Sequence, residues 1–408
     1  MPTSVYDLLR SHASEAVKTA SSWTMPAGHN GPYADPETPV RNTGHWLMIF
    51  AKMYEWTGEP VYRAKVKELA DYLCSSEARP GRFAFHHRKG PKDHCNGLIG
   101  QAWTMEALAT ASYALEDPRY AALAEKVFFQ HPFDEEMGLW HRLEVDGRVL
   151  SCDGTFNHQL WFAACASILQ TENRHEVMRR IHVFIDRLRQ NLTVLPDGLI
   201  YHPIEHLMVK RSREQLRRKR RLRPSIRRWL SAIKRGRLRE AFLHEPTIRA
   251  QRRLQEEHRS VGYHSFNTYA FAILHGQTTS HSFWRTPRFQ QTIDYLRSDA
   301  YSDTVDENKY AYGYNPTGFE VPFTLFVLGN YSRDDMLPLF TAWMSRQIER
   351  CHNPMTLQMD RNTDDRVTLT ARMYELVRLP RALLESIHVT VGRTESPDVQ
   401  RVPAGVGV

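Results

Sequence analysis

Residues 151–169 read SCDGTFNHQLWFAACASIL. A polar opening, Asp153 to His158, runs directly into a segment that is apolar nearly all round, as a helix covered on every side requires. The same design recurs as RNTGHW at 41–46, DHCNGLIGQAW at 93–103, GYHSFNTYAFA at 262–272, YGYNPTGFEVPF at 312–323 and TLTARMYELVRL at 368–379. The starts lie at intervals of about 55 residues, with one interval about twice as long, which is the mark of a repeated helical hairpin. A second kind of helix alternates with the first. Glu59-Pro60-Val61-Tyr62, Asp117-Pro118-Arg119-Tyr120 and Thr286-Pro287-Arg288-Phe289 each place a capping-type residue before a Pro at the first helical position, with one apolar stripe following.

This alternation predicts two layers. Amphipathic outer helices are expected over 4–20, 59–75, 117–130, 174–191, 286–298 and 333–350, and apolar inner helices over 43–57, 96–115, 155–170, 263–276, 317–329 and 367–379. Twelve helices in six pairs, with no polar capping repeat at either end, predict an all-α fold closed into an (α/α)6 barrel rather than an open solenoid. The expected organisation is one barrel over 1–208 and 261–385, a basic helical insertion at 209–260, and a tail at 386–408.

Charge is unevenly placed. The chain of 408 residues carries a net +8, yet residues 209–260 hold 19 Lys and Arg against 5 Glu, so the rest of the chain is acidic. Ile226 to Arg235, IRRWLSAIKR, mixes apolar and basic residues at helical spacing, which suits contact with an anionic membrane surface; the competing reading is a solvated basic arm. No nucleic-acid-binding module accompanies the charge. The five cysteines are scattered without C-x-x-C spacing, and no H-x-x-x-H or carboxylate triad falls on one expected helix, so neither a disulfide framework, a metal site nor a cofactor is expected. The apolar runs fall short of the eighteen or so residues of a membrane span, and Met1 to Arg10 has no signal-type apolar core, so a cytoplasmic protein, peripheral to the membrane at most, is expected.

In a ring of hairpins the starts of the inner helices converge on one mouth, and there the sequence repeatedly sets Asn or His beside Gly and an aromatic. Sugars require such side chains: fork donors and acceptors for hydroxyls, flat apolar faces for the ring. The candidate wall is Asn42, His45 and Trp46; His94, Asn96, Gln101 and Trp103; Asn157 and Trp161; Tyr263, His264 and Asn267; and Tyr314, Asn315 and Glu320. Plain N-capping competes with this reading at each Asn or Asp. Asp93 and Asp153 precede adjacent inner helices and are the candidate pair for cleaving a glycosidic bond, with Glu320 and Asp35 in reserve. The aromatic neighbours of Asp153, namely Trp140, Phe156 and Trp161, are expected to raise its pKa. Paired histidines among His45, His94, His158 and His264 would instead exchange a proton at a sugar carbon, as an epimerase or isomerase does. A non-catalytic glycan-binding protein is the third reading.

GPYADPETPVRNTGHW, DHCNGLIGQAW, SCDGTFNHQLWFAA, GYHSFNTYAFA, YGYNPTGFEVPF and TLTARMYELVRL together resemble the AglQ-like agl-cluster proteins of archaeal N-glycosylation, and more distantly the six-hairpin glycosidases. The resemblance spans most of the chain outside the basic stretch and the last thirty or so residues. It implies the (α/α)6 barrel and a role in building or processing a uronate-containing, lipid-linked glycan. Its hydrolase branch implies Asp153 as acid/base with Asp93 as partner and His158 beside them. Its epimerase branch implies histidine chemistry.

Overall fold

The computed structural model describes residues 2–19, 23–207 and 251–392. The six inner helices are Val40–Thr57, Gly97–Leu115, Phe156–Ser167, His264–Gln277, Thr317–Leu328, and Arg366–Ala371 continued by the 3-10 turn Arg372–Arg378. Each packs on the next, and the last returns to the first, so the ring is closed. Around it run the outer helices Val5–Thr19, Pro60–Cys74, Pro118–Gln130, Arg174–Asp186, Pro287–Arg297 and Arg333–Cys351. The (α/α)6 barrel read from the repeat is the fold observed.

The two layers differ as their sequences demand. Every residue from Gly97 to Leu108 of the second inner helix is buried, whereas Pro118–Gln130 buries only the stripe of Tyr120, Ala121, Ala124, Val127 and Phe128. Three of the outer helices also start with side-chain caps: Asp117 accepts from the Arg119 N–H, Thr286 from that of Phe289 and Ser332 from that of Asp335. The ring is sealed where its ends meet, by an antiparallel pair between Pro2–Ser4 and His388–Thr390. The expected tail from 386 is therefore, as far as it is described, a strand with Val389 buried. A small antiparallel sheet (Phe133–Asp134, Leu139–Leu143, Val149–Cys152) precedes the third inner helix; Gln159 reaches back to bond the Trp140 N–H (2.9 Å) and C=O (2.8 Å), docking this sheet beside Asp153.

Most of the basic stretch, including Ile226 to Arg235, lies outside the described residues. Residues 251–262 are helical and lead through Tyr263 into the fourth inner helix. At this end the stretch read as a basic insertion is built into the barrel. Ser260 is fully buried, its Oγ accepting the His202 N–H (2.9 Å) and donating to the Glu256 carbonyl (2.6 Å), so hydrogen bonding fixes this turn to the mouth. Among the described residues no helix is long and apolar enough to cross a membrane.

Candidate active site

All six inner helices, or the loops leading into them, contribute to one cavity of about 190 Å³ at the mouth. Its wall includes Arg41, Asn96, Trp103, Asn157, His158, Tyr263, Tyr314, Asn315 and Arg372. Asn96 sits at the N-cap position of the second inner helix in the left-handed region, φ 54°, and makes no side-chain cap. Asn157 lies in the first turn of the third, with its Oδ1 buried and unpartnered within the protein. Capping therefore does not account for these two residues, and their amides are presented to the cavity. The Trp103 Nε1 is likewise buried without a protein acceptor.

One wall carries a histidine–carboxylate pair. Nδ1 of His158 lies 2.8 Å from Oδ2 of Asp153, which also accepts the Leu98 N–H at 3.2 Å, while Oδ1 accepts the Thr155 N–H at 3.2 Å. Burial alone would raise the Asp153 pKa; the His158 ring and its hydrogen bond, Arg142 and the Leu98 amide outweigh it and hold the carboxyl well below the usual range. An ionised Asp153 fixes the proton on Nδ1 of His158 and leaves Nε2 as the basic nitrogen. Gly97 makes the approach possible. Its φ is +59°, and a Cβ there would stand 2.6 Å from both Asp153 Oδ2 and His158 Nδ1. Next to His158 on the cavity wall is His202, kept neutral because burial, Arg259 and His158 depress its pKa to about 3.

The rest of the lining is largely polar and cationic. Among the described lining residues five are cations (Arg41, Arg88, Lys92, Arg259, Arg372) and Asp35 is the sole carboxylate. Their counter-ions mostly stand behind them: Glu37 beside Arg41 at 3.3 Å, Asp93 beside Arg88 at 3.1 Å, and Glu320 beside Arg372 at 2.7 Å. Asp35 itself holds Lys92 at 2.7 Å. Arg41 lies flat over Trp103, 4.3 Å from the ring centroid. A phenol chain completes the wall, running Tyr33 to Tyr263 (2.9 Å), Tyr263 to Tyr314 (3.5 Å) and Tyr314 to Asn30 Oδ1 (2.9 Å).

Of the residues read from sequence, Asn96, Trp103, Asn157, His158, Tyr263, Tyr314 and Asn315 meet in this cavity. Asp35, the reserve carboxylate, also lines it; the remaining residues do not. Asn42 is buried and donates to the Pro26 carbonyl (2.8 Å), His45 stacks on Tyr374 with centroids 4.2 Å apart, and Trp46 stacks on Phe50 in the core. Gln101 ties Phe85 to Cys95, and Trp161 lies against Phe266 and Tyr269. His264 spans Ile200 and Thr292, Asn267 is buried one turn deeper, and Glu320 is enclosed with Arg372 and Ser265. His94 is exposed on the outer surface near Glu144.

Asp93 and Asp153 are near neighbours, because both accept amide hydrogens from the start of the second inner helix, at Gly97 and Leu98. That position stabilises negative charge. The expected upward shift of Asp153 is reversed, because hydrogen bonds and positive charge outweigh its apolar neighbours. Asp93 is held by Arg88 and by Arg142. Neither carboxylate faces the cavity as a proton donor would. Sequence reasoning missed His202, Arg88, Lys92 and Arg259, which come from loops or from the basic stretch and carry no repeat signal. Among the described residues no cluster of His, Cys, Asp and Glu could hold a metal.

A closed ring of six helical hairpins with one polar, aromatic mouth defines the six-hairpin class of carbohydrate-active folds. Solved structures of that class superpose on the chain. A cellobiose 2-epimerase from Bacillus thermoamylovorans and a D-mannose isomerase each give a TM-score of 0.57 at 10% identity, covering 91% of this chain and 98% of theirs. An α-1,6-mannanase from a Salegentibacter species gives 0.52 at 14% identity, covering 93% and 99%. At such identities the likeness concerns fold alone. No protein-family model matches. The archaeal glycosylation protein Q of Haloferax volcanii is 41% identical over 383 residues, 92% of this chain and 98% of that protein. The chain belongs to the archaeal glycosylation protein Q family.

Proposed function

We propose that this protein acts in a glycosylation pathway on an acidic sugar, moving a proton at a carbon next to a carbonyl, as an epimerase or isomerase does. The observation that carries the reading is the pairing of His158 with an ionised Asp153 at 2.8 Å on the cavity wall, beside the neutral His202. The basic Nε2 of His158 removes the proton from carbon, the electron pair moves into the carbonyl to give an enediolate whose oxygen the neutral His202 ring can hydrogen-bond, and the protonated His158 returns a proton to the neighbouring carbon as the hydroxyl proton passes to the other oxygen. The cationic wall supports an acidic substrate, and the Trp103 and tyrosine faces support a ring.

Incubating the full chain with acidic sugars in deuterium oxide tests this. Deuterium incorporated at a sugar carbon without cleavage is the expected result. New reducing ends without carbon-bound deuterium would defeat it. They would favour hydrolysis instead, a reading supported by Asp35, the one carboxylate among the described lining residues.

A further inference from the structure

We propose that Arg259 is the specificity-determining residue that reads the acidic group of the ligand, so that recognition depends on the last turn of the basic stretch. This rests on the sugar-site reading above. The case lies in how the lining cations are occupied. Arg372 is saturated by Glu375 at 2.9 Å, Glu320 at 2.7 Å, Asn315 at 2.7 Å and the Tyr314 carbonyl at 2.8 Å. Arg88 and Lys92 share Asp35 and Asp93, and Arg41 is held by Glu37 and Asn30, each at 3.3 Å. Arg259 is engaged differently. Its Nη1 is gripped from one side by both oxygens of Glu256, at 3.1 and 3.0 Å, on its own helix, and among the described residues no carboxylate of the barrel pairs with it, while its Nε, like those of Arg41 and Arg88, is buried without a hydrogen-bond partner among those residues.

The guanidinium is also aimed. It lies over the Tyr310 ring, 5.7 Å from the centroid, and the next residue, Ser260, ties the turn to the backbone of His202. A fork donor held on two sides, with a buried N–H left over at the cavity wall, meets a planar carboxylate or a phosphate with little further ordering. A neutral hydroxyl in the same place gains only an uncharged hydrogen bond, so removing the charge changes the preference between acidic and neutral ligands and not merely the affinity.

Ligand-observed NMR titrations of the full chain with D-glucuronate, D-glucose and inorganic phosphate test the proposal on wild type, Arg259→Gln and Arg259→Lys, with melting curves as the check on folding. The expected result is a glucuronate affinity at least tenfold weaker in Arg259→Gln, little change for glucose, and partial recovery in Arg259→Lys. Equal weakening of both sugars would make Arg259 a structural residue and overturn the proposal, as would unchanged glucuronate binding. Wild type that binds glucose but neither anion also overturns it, while leaving the sugar site standing. Arg259-dependent binding of phosphate with no sugar bound would keep the anion reader and remove the sugar reading. Wild type that binds none of the three probes would end both.

Discussion

His158 and His264 occupy equivalent places, the first turns of the third and fourth inner helices, and their partners set them to opposite work. His158 lines the cavity and meets a carboxylate at 2.8 Å; His264 is fully enclosed, accepting the Ile200 N–H at 3.3 Å and donating to the Thr292 carbonyl at 3.0 Å. The ionised partner fixes the proton of the first imidazole on Nδ1 and leaves Nε2 free to accept one. Burial pushes the second down to about 4 against the opposing hydrogen bond to the Thr292 carbonyl, so it is a neutral strut between layers. Position in the repeat does not assign a role; the partner does.

The comparison breaks first at the two rings themselves. His158→Gln is expected to reduce proton exchange on the order of a hundredfold or more with the fold intact. His264→Gln is expected to lower stability by about 2 kcal/mol or more through its lost buried hydrogen bonds, with near-normal exchange per folded molecule. Exchange kinetics and urea unfolding on both variants check the pair, and exchange lost in His264→Gln but retained in His158→Gln would invert the assignment.

The carboxylate sharpens it. Asp153→Asn keeps the shape but removes the charge that sets the His158 tautomer, so the exchange rate should fall by about tenfold to a hundredfold, within the range of general-base contributions. Because the Asp153 pKa is depressed in the folded state, its charge contributes stability above the unfolded carboxylate range and loses it as pH falls through that range. The Asn variant should therefore lose less stability than wild type below about pH 4, measured by urea midpoints across that interval.

Acid separates the two histidines next. For His264, with a folded pKa of about 4, the unfolded chain binds the extra proton at about pH 6.5 and below, so stability declines as pH falls from there towards 4. Near pH 5 the cost is about 2 kcal/mol, and buried His202 and His87, each depressed to about 3, act in the same direction. Urea midpoints at pH 7 and pH 5 should differ accordingly, with a smaller difference in His264→Gln. The smallest expected effect contrasts the helix starts. Asp117→Ala, at a capped outer helix, should cost about 1 kcal/mol of stability and leave ligand binding alone. Asn96→Gly, at an uncapped inner helix and able to keep the left-handed backbone, should weaken sugar binding by NMR titration with little change in melting.

Much of the architecture was legible in advance. Alternation of all-round apolar and single-stripe segments at one period specifies two layers, since a helix without a polar face must be covered. Closure followed from the same pattern. The mouth was legible only as a set: seven of the sixteen candidate wall or histidine positions named by number line the cavity, among them Asn96 and Asn157, which depart from capping. Trp46 and Trp161 were misplaced because one step of helix rotation separates a ring that faces the cavity from one that faces a neighbouring helix. Arg259 was hidden by the charge around it, since a run of basic residues does not mark which one folds back.

The chain alone determined the layers, the period, the location of the mouth and the residue types available there, because covalent order and hydrophobic periodicity are local properties. Tertiary structure decided which histidine receives a carboxylate, which carboxylates are fixed at a helix start and which lining cation is paired only from its own helix. Those outcomes depend on contacts such as Gly97 against Asp153 and His158, or Ser260 against His202. Residues far apart in sequence meet there at distances of a few ångströms, and at that scale the sign of a pKa shift is set by the neighbour rather than by the residue.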